Sequence, residues 1–419
     1  MARAPIVGEI FAIGDEILQG WTTDTNSGEI ARELMAVGVR VARFTGVADE
    51  RGAIAAALRE AGGRAEIVVM TGGLGPTDDD LTCAASADAL GVELEFVAEL
   101  WEAITARLTA RRRPIPESNR RQAFRPRGSE TIPNKNGTAP GFTFRLGGAR
   151  FFALPGVPRE MRAMLAEFVL PRIAAEHPGG GAERRVLKCF GAPEAAVGEA
   201  IAPWMGRDAD PLVGITVSRA VHTISILSHD AAKAGDVQEA IAARLGDLVY
   251  SRENEALEES LGKRLIARGV SVCLAESCTG GLATALLTNV PGISAVLRES
   301  FVTYANDAKM ARLGVPKNTL DAHGAVSAEC AEAMARGACA AGGARLGISI
   351  TGIAGPDGGS AEKPVGLVFI GIAFDGAVRV HQRNYSGLER NFFREVVARE
   401  ALNLARLEMG SGTNTKVVT

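Results

Sequence analysis

Apolar and polar positions along this chain follow two rhythms, and their alternation predicts a layered α/β protein. Residues 6–13 form a short apolar run that stops at Gly14-Asp15-Glu16. Residues 25–37 then place Ile30, Leu34 and Val37 at helical spacing, and residues 39–47 return to strand character. A second helix carries Ile54 and Leu58. Residues 67–70 read as a buried strand that feeds Thr71-Gly72-Gly73-Leu74-Gly75-Pro76. This segment closes with a strand at 151–154, the turn Pro155-Gly156-Val157-Pro158 and one helix over 159–175. Strands alternating with helices at this spacing predict a parallel sheet covered on both faces.

His177-Pro178-Gly179-Gly180-Gly181 reads as a linker. Beyond it lies a small α+β stretch: a strand at 185–189, a helix at 194–201, strands at 213–217 and 221–228, and a helix at 234–245. It shows no catalytic constellation and reads as a structural or dimer-forming subdomain. A third unit opens with a helix at 257–268 and a strand at 271–275. Strands at 301–304, 346–351, 365–373 and 378–385 follow, and a last helix runs near 390–407. The predicted units are 1–176, 182–252 and 254–409, with a polar, frayed tail at 410–419.

Composition narrows the class. The 419 residues are 47% hydrophobic and 23% charged, as packed globular domains are, and the formal charge of −3 gives no electrostatic case for nucleic acid or membrane. The N-terminus contains Arg3, Pro5 and Glu9, so no signal peptide is expected there. Six scattered cysteines lack zinc-type spacing and read as reduced thiols of a cytoplasmic protein.

Candidate chemistry lies at strand ends. Ser277 follows a strand, with Gly280 and Gly281 next in a turn that opens a helix. Such a turn exposes a hydroxyl and presents backbone N–H groups to an anion, although serine there also serves as a plain N-cap. A second strand supplies Tyr304, and Lys309 lies five residues on. Burial would lower the lysine's pKa and let it act as a base. A Gly-rich loop, Thr351 to Gly359, would let backbone approach a ligand closely. Serine as nucleophile, lysine as base and backbone N–H groups as oxyanion donors suit amide hydrolysis. Cys278 is the rival nucleophile.

A second Gly-rich turn, Thr71 to Thr77, is followed by Asp78-Asp79-Asp80. Its N–H groups suit a phosphate, and its carboxylates suit a hard divalent cation or a favourable helix start. Arg107, Arg111, Arg112, Arg113, Arg120, Arg121, Arg125 and Arg127 crowd one stretch and are candidates to line an anionic-substrate cleft, or are simply solvated.

Longer motifs add a resemblance. Ala275 to Gly281, Phe301 to Lys309, His323 to Ser327, Gly352 to Gly359 and Lys363 to Gly366 resemble the nicotinamide mononucleotide deamidase family. With Gly14-Asp15-Glu16, Asp24-Thr25-Asn26, Thr71 to Asp80, Asn119-Arg120, Gly137 to Phe142 and Leu154 to Pro158, the whole chain resembles the competence/damage-inducible protein A (CinA) family. The resemblance implies a molybdopterin-binding-like domain fused to a deamidase domain. It implies Ser277, Tyr304, Lys309 and Thr351 as the reacting group, plus a last-helix arginine. The spacing after Ser386-Gly387 is one residue off the family pattern, which leaves Arg390 and Arg394 both open; Arg394 is favoured. Thr279, Gly280, Gly281, Gly352 and Gly355 would contact nicotinamide mononucleotide, with no cofactor. In the N-terminal domain Thr71, Gly72, Gly73 and Gly75 would hold ADP-ribose, and Asp15, Asp79 and Asp80 a divalent metal, for hydrolysis to AMP and ribose 5-phosphate. A homodimer is implied too. The rivals are an N-terminal domain that only binds a pterin or nucleotide, and a DNA-associated competence or damage factor.

Overall fold

The computed structural model describes residues 6–177, 181–206 and 209–410. The expected tail beyond residue 410 and part of the expected linker lie outside these. Backbone contacts divide the chain into two units, one running to Glu183 and the other from Arg184 onward, with three residues near 229–231 assigned to the first. Among the described residues no helix is long and apolar enough to cross a membrane.

The first unit is built on a six-stranded sheet. Its members are β1 (Ile6–Ile13), β2 (Val39–Val47), β3 (Ile67–Thr71), then, past the short pair β4 (Leu94–Phe96) and β5 (Phe124–Pro126), β6 (Glu130–Ile132), β7 (Gly141–Leu146) and β8 (Ala149–Leu154). The order is β2-β1-β3-β8-β7-β6. β2, β1, β3 and β8 run parallel, while β7 and β6 pair antiparallel at one edge, so the sheet is mixed rather than wholly parallel. Strand alternation explains why its central runs are continuously apolar. Val68, Met70, Phe151 and Ala153 enter one core, and Ile67, Val69, Phe152 and Leu154 the other. The closing helix is not continuous: a π-helical turn at Leu165–Val169 separates Pro158–Met164 from Leu170–Glu176.

The second unit holds two sheets. The smaller, β9 (Glu183–Cys189), β10 (Leu212–Ser218), β11 (Val221–Ser228) and β12 (Val249–Ser251), has its own core around Leu187, Ile224, Ile226 and Ile241. It is joined to the larger sheet's layer by Phe190 and Tyr250, which sit in that layer's core, and by Arg406, whose Nη2 donates to the Asp247 carbonyl at 2.6 Å. The larger sheet comprises β13 (Val272–Glu276), β14 (Leu297–Val302), β15 (Leu346–Gly352), β16 (Leu367–Phe374) and β17 (Ala377–Asn384), ordered β14-β13-β15-β16-β17. β14, β13 and β15 are parallel; β16 and β17 are antiparallel additions. The helix Ala328–Gly342 lies very close on one face. A side chain at Gly347 would strike the Ala335 carbonyl, and Ser349 Oγ donates to the Ala331 carbonyl at 2.6 Å. Both large sheets have a strand, β1 or β13, flanked by parallel neighbours reached in opposite directions. Open α/β sheets collect ligands beyond the carboxyl ends of such strands.

Candidate functional site

Three parallel strands deliver the C-terminal site. β13 ends at Glu276 and hands over to Ser277, whose amide donates to the Ile350 carbonyl of β15 at 3.0 Å. β14 ends at Val302, earlier than expected, so Thr303 and Tyr304 belong to the following loop. Lys309 sits within the helix Asn306–Leu313 and is 1% exposed. Its Nζ lies 2.7 Å from the Thr303 carbonyl, 3.2 Å from the Tyr304 carbonyl and 3.2 Å from Ser277 Oγ. All three partners are neutral oxygens, and burial pulls the lysine below its ordinary value, with the Cys330 and Cys278 thiols opposing weakly. In the neutral amine two hydrogens serve the two carbonyls, which turns the lone pair toward the serine hydroxyl. That is the arrangement of a base and its nucleophile.

The remaining expected residues divide sharply. Tyr304 is 62% exposed, and its hydroxyl accepts from Arg390 Nη2 at 3.2 Å; Arg390 Nη1 also donates to the Gly355 carbonyl. Arg394 Nη2 donates to the Thr279 carbonyl at 2.9 Å. Both arginines therefore enter the site, where the sequence favoured one. Thr351 lies beneath it, its hydroxyl spent on the Ala325 carbonyl at 2.7 Å, with Gly352 next to it at the end of β15. Cys278 is almost fully buried, and burial pushes its thiol up to about 12, so it holds little thiolate at neutral pH.

The expected anion cradle needs correction. Gly281 N–H donates to Glu276 Oε2 at 2.9 Å, and Ala283 N–H to the same oxygen at 3.2 Å. Thr284 gives both its N–H (2.9 Å) and its hydroxyl (2.7 Å) to Glu276 Oε1, and Gly280 N–H serves the Ser277 carbonyl. A carboxylate of the protein itself thus occupies the helix start. Among the described residues the Thr279 amide has no acceptor, and Thr279 Oγ1 is buried without a partner. Glu276 was missed because an acidic residue ending a strand carries no signal of what it caps.

In the first unit the ends of β1, β2, β3 and β8 surround a cleft of about 490 Å³. Thr71, Gly72, Gly73 and Gly75 line it as expected. Gly72 has φ +108°, and a side chain there would meet the Ile13 carbonyl, so this close strand-to-loop approach requires glycine. The lining also includes Glu16, Asp24, Asn26, Asp49, Asp79, Asp80 and Glu160, and no lysine or arginine. The arginine stretch does not line it. Arg121 pairs with Asp78, Arg125 with Glu95 and Arg127 with Glu93, each at 2.9 Å, and Arg107 donates to the Asn134 and Gly137 carbonyls.

The proposed metal ligands Asp15, Asp79 and Asp80 do not fit as a ready-made set. Asp80 spends Oδ1 on the Gly75 amide (2.6 Å) and Oδ2 on the Thr77 amide (2.8 Å), holding its own loop. Asp15 Oδ1 accepts from the Asp49 amide, and Asp49 Oδ2 from the Asp15 amide. Among the described residues no three His, Cys, Asp or Glu side chains converge to hold a metal ion. Asp49 is raised above the usual carboxylate range by burial first, then by the charges of Asp15, Glu16 and Asp79. It stands just past the end of β2, a position whose strand-end pattern was the available signal.

Comparison with known proteins agrees with this division. Residues 9–175 match the family described as probable molybdopterin binding domain, and residues 254–409 the CinA C-terminal domain. A CinA-like protein of Anaeromyxobacter sp. (strain Fw109-5) is 44% identical over 413 residues, covering 97% of this chain and all of its own. A CinA-like protein of Geobacter sp. (strain M21) is 43% identical, covering 94% and 95%. The crystal structure of competence/damage inducible protein CihA from Agrobacterium tumefaciens is 44% identical over 36% of this chain and 96% of its own, with a TM-score of 0.35. With near-complete mutual coverage at this identity, the chain belongs to the CinA family.

Proposed function

We propose that the second unit hydrolyses the carboxamide of nicotinamide mononucleotide, releasing ammonia and nicotinate mononucleotide. The observation that carries this is the buried Lys309 amine 3.2 Å from Ser277 Oγ, with neutral partners only. Lys309 takes the serine proton as Oγ attacks the carboxamide carbon, and the unclaimed Thr279 amide would donate to the oxyanion. The ammonium then returns its proton to the leaving nitrogen, and ammonia departs from an acyl-serine. Water, deprotonated by the same amine, releases the carboxylate. Arg390 and Arg394, tied to the Tyr304, Gly355 and Thr279 rim of the site, supply positive charge for the nucleotide phosphate. Incubating the purified chain with nicotinamide mononucleotide should yield ammonia and nicotinate mononucleotide in equal amounts; absence of either product sinks the assignment.

For the first unit the same reading is hydrolysis of ADP-ribose to AMP and ribose 5-phosphate with a divalent cation. The acidic, cation-free lining supports a need for a counter-ion, since a pyrophosphate cannot approach those carboxylates unaided. Binding without hydrolysis is the second reading, favoured by the commitment of Asp15 and Asp80 to backbone amides. If hydrolysis occurs, Asp79→Asn should lower AMP release about a hundredfold or more and leave ammonia release unchanged. Wild-type AMP release by this variant would move the role to another acid, and no AMP release by the wild-type chain would favour binding alone. Homodimerisation belongs to the same reading.

A further inference from the structure

We infer that Asn26 reads a hydrogen-bond donor of the ligand in the N-terminal cleft, through a side-chain oxygen that the fold holds in one orientation. Asn26 is 7% exposed, begins the helix Asn26–Ala36 and lines the cleft. Its Nδ2 donates to Thr71 Oγ1 at 3.0 Å and to the Gly156 carbonyl at 2.8 Å. Thr71 in turn gives its only hydroxyl proton to the Pro155 carbonyl at 3.1 Å, so toward Asn26 it can only accept. A flipped amide would set Oδ1 against two acceptors. The orientation is therefore determined, and both Nδ2 hydrogens are spent.

Oδ1 is left buried with no partner among the described residues. An unpaired buried acceptor is costly, and one retained at a cleft wall is satisfied when a hydrogen-bond donor or a cation reaches it; excess Mg²⁺ in the test below keeps the cation constant. A phosphate oxygen cannot donate. Glu16, Asp49, Asp79 and Glu160 line the same cleft and add further acceptors, and Oδ1 itself can take only an O–H or N–H group of a ligand. On the reading of the cleft as a nucleotide site, the donor is a ribose hydroxyl or an exocyclic amine of the base.

Calorimetry in excess Mg²⁺ separates the sources. The probes are AMP against IMP for the amine, and AMP against 2′-deoxy-AMP and 3′-deoxy-AMP, with ribose 5-phosphate against its 2-deoxy form, for the hydroxyls. In the wild-type chain one pair should differ about tenfold in Kd, and in Asn26→Ala that difference should shrink below about twofold. Because each comparison is made within one protein, a general weakening by the variant cancels; Asn26→Ser replaces it if the alanine form does not fold. Equal wild-type binding within every pair, or discrimination undiminished in the variant, overturns the inference. A chain that binds these ligands as expected but releases no AMP from ADP-ribose refutes the hydrolase reading and leaves Asn26 its role. Binding of no probe refutes both.

Discussion

Ser277→Ala should lower ammonia release from nicotinamide mononucleotide by about a thousandfold or more, with a much smaller change in substrate affinity. Lys309→Ala should do the same, because a serine hydroxyl is a poor nucleophile at neutral pH and Lys309 is the amine beside it. The two act as a unit, so the double variant should be little worse than either alone. Cys278→Ala should keep most activity, since its thiol lies buried with its pKa pushed up to about 12. An active Ser277→Ala beside an inactive Cys278→Ala would move the nucleophile to sulfur. The pH profile supplies a second check. Only the neutral amine is competent, so kcat/KM should rise with pH through the folded-state pKa of Lys309, which burial places below 10.5.

Stability should move the same way. Below the folded pKa both states hold the lysine proton, and the charged amine is buried at a cost. Between that pKa and 10.5 the unfolded chain binds more protons than the folded one, so stability rises with pH. Lys309→Met should remove this rise, measured as denaturant midpoints across the alkaline range. A slope unchanged in the methionine variant would show that Lys309 is not its source.

Glu276→Gln should unfold the site locally. The glutamate is fully buried and accepts four hydrogen bonds, two at each oxygen. A glutamine offers one carbonyl oxygen, and its NH₂ group then faces either two backbone N–H donors or the Thr284 N–H beside a hydroxyl that must turn away to accept. Leaving those donors unpaired in the interior should cost roughly 3 kcal/mol or more. At this size that lowers the melting temperature of the second unit by about 6 °C or more. Ammonia release should fall with it, because the turn anchored by Glu276 carries Ser277 and Thr279. A variant that melts and turns over like the wild type would show that the four bonds do not hold the turn.

Much of this protein was legible in its order of residues because the signals are local. The apolar runs of β3 and β13 announce strands buried on both faces, and Gly72, Gly280 and Gly281 mark turns that other residues adopt only with strain. Ser277 stands out for the same reason, at the junction of one strand and one turn. What escaped depends on which side chain meets which group across the sheet. Glu276 and Lys309 are ordinary charged residues until β13, β14 and the helix after it bury them. Then one becomes a cap through its four donors, and the other an amine held below its ordinary pKa by desolvation. Asp80 looked like a metal ligand, yet its oxygens reach the amides of its own loop. Asn26 and Asp49 acquire meaning only where the ends of β1, β2, β3 and β8 converge. Sequence by itself determined most strands, the turns and the place of Ser277 at a strand end; tertiary structure decided the burial of Lys309, anion capacity and the cleft wall, because those depend on partners far along the chain.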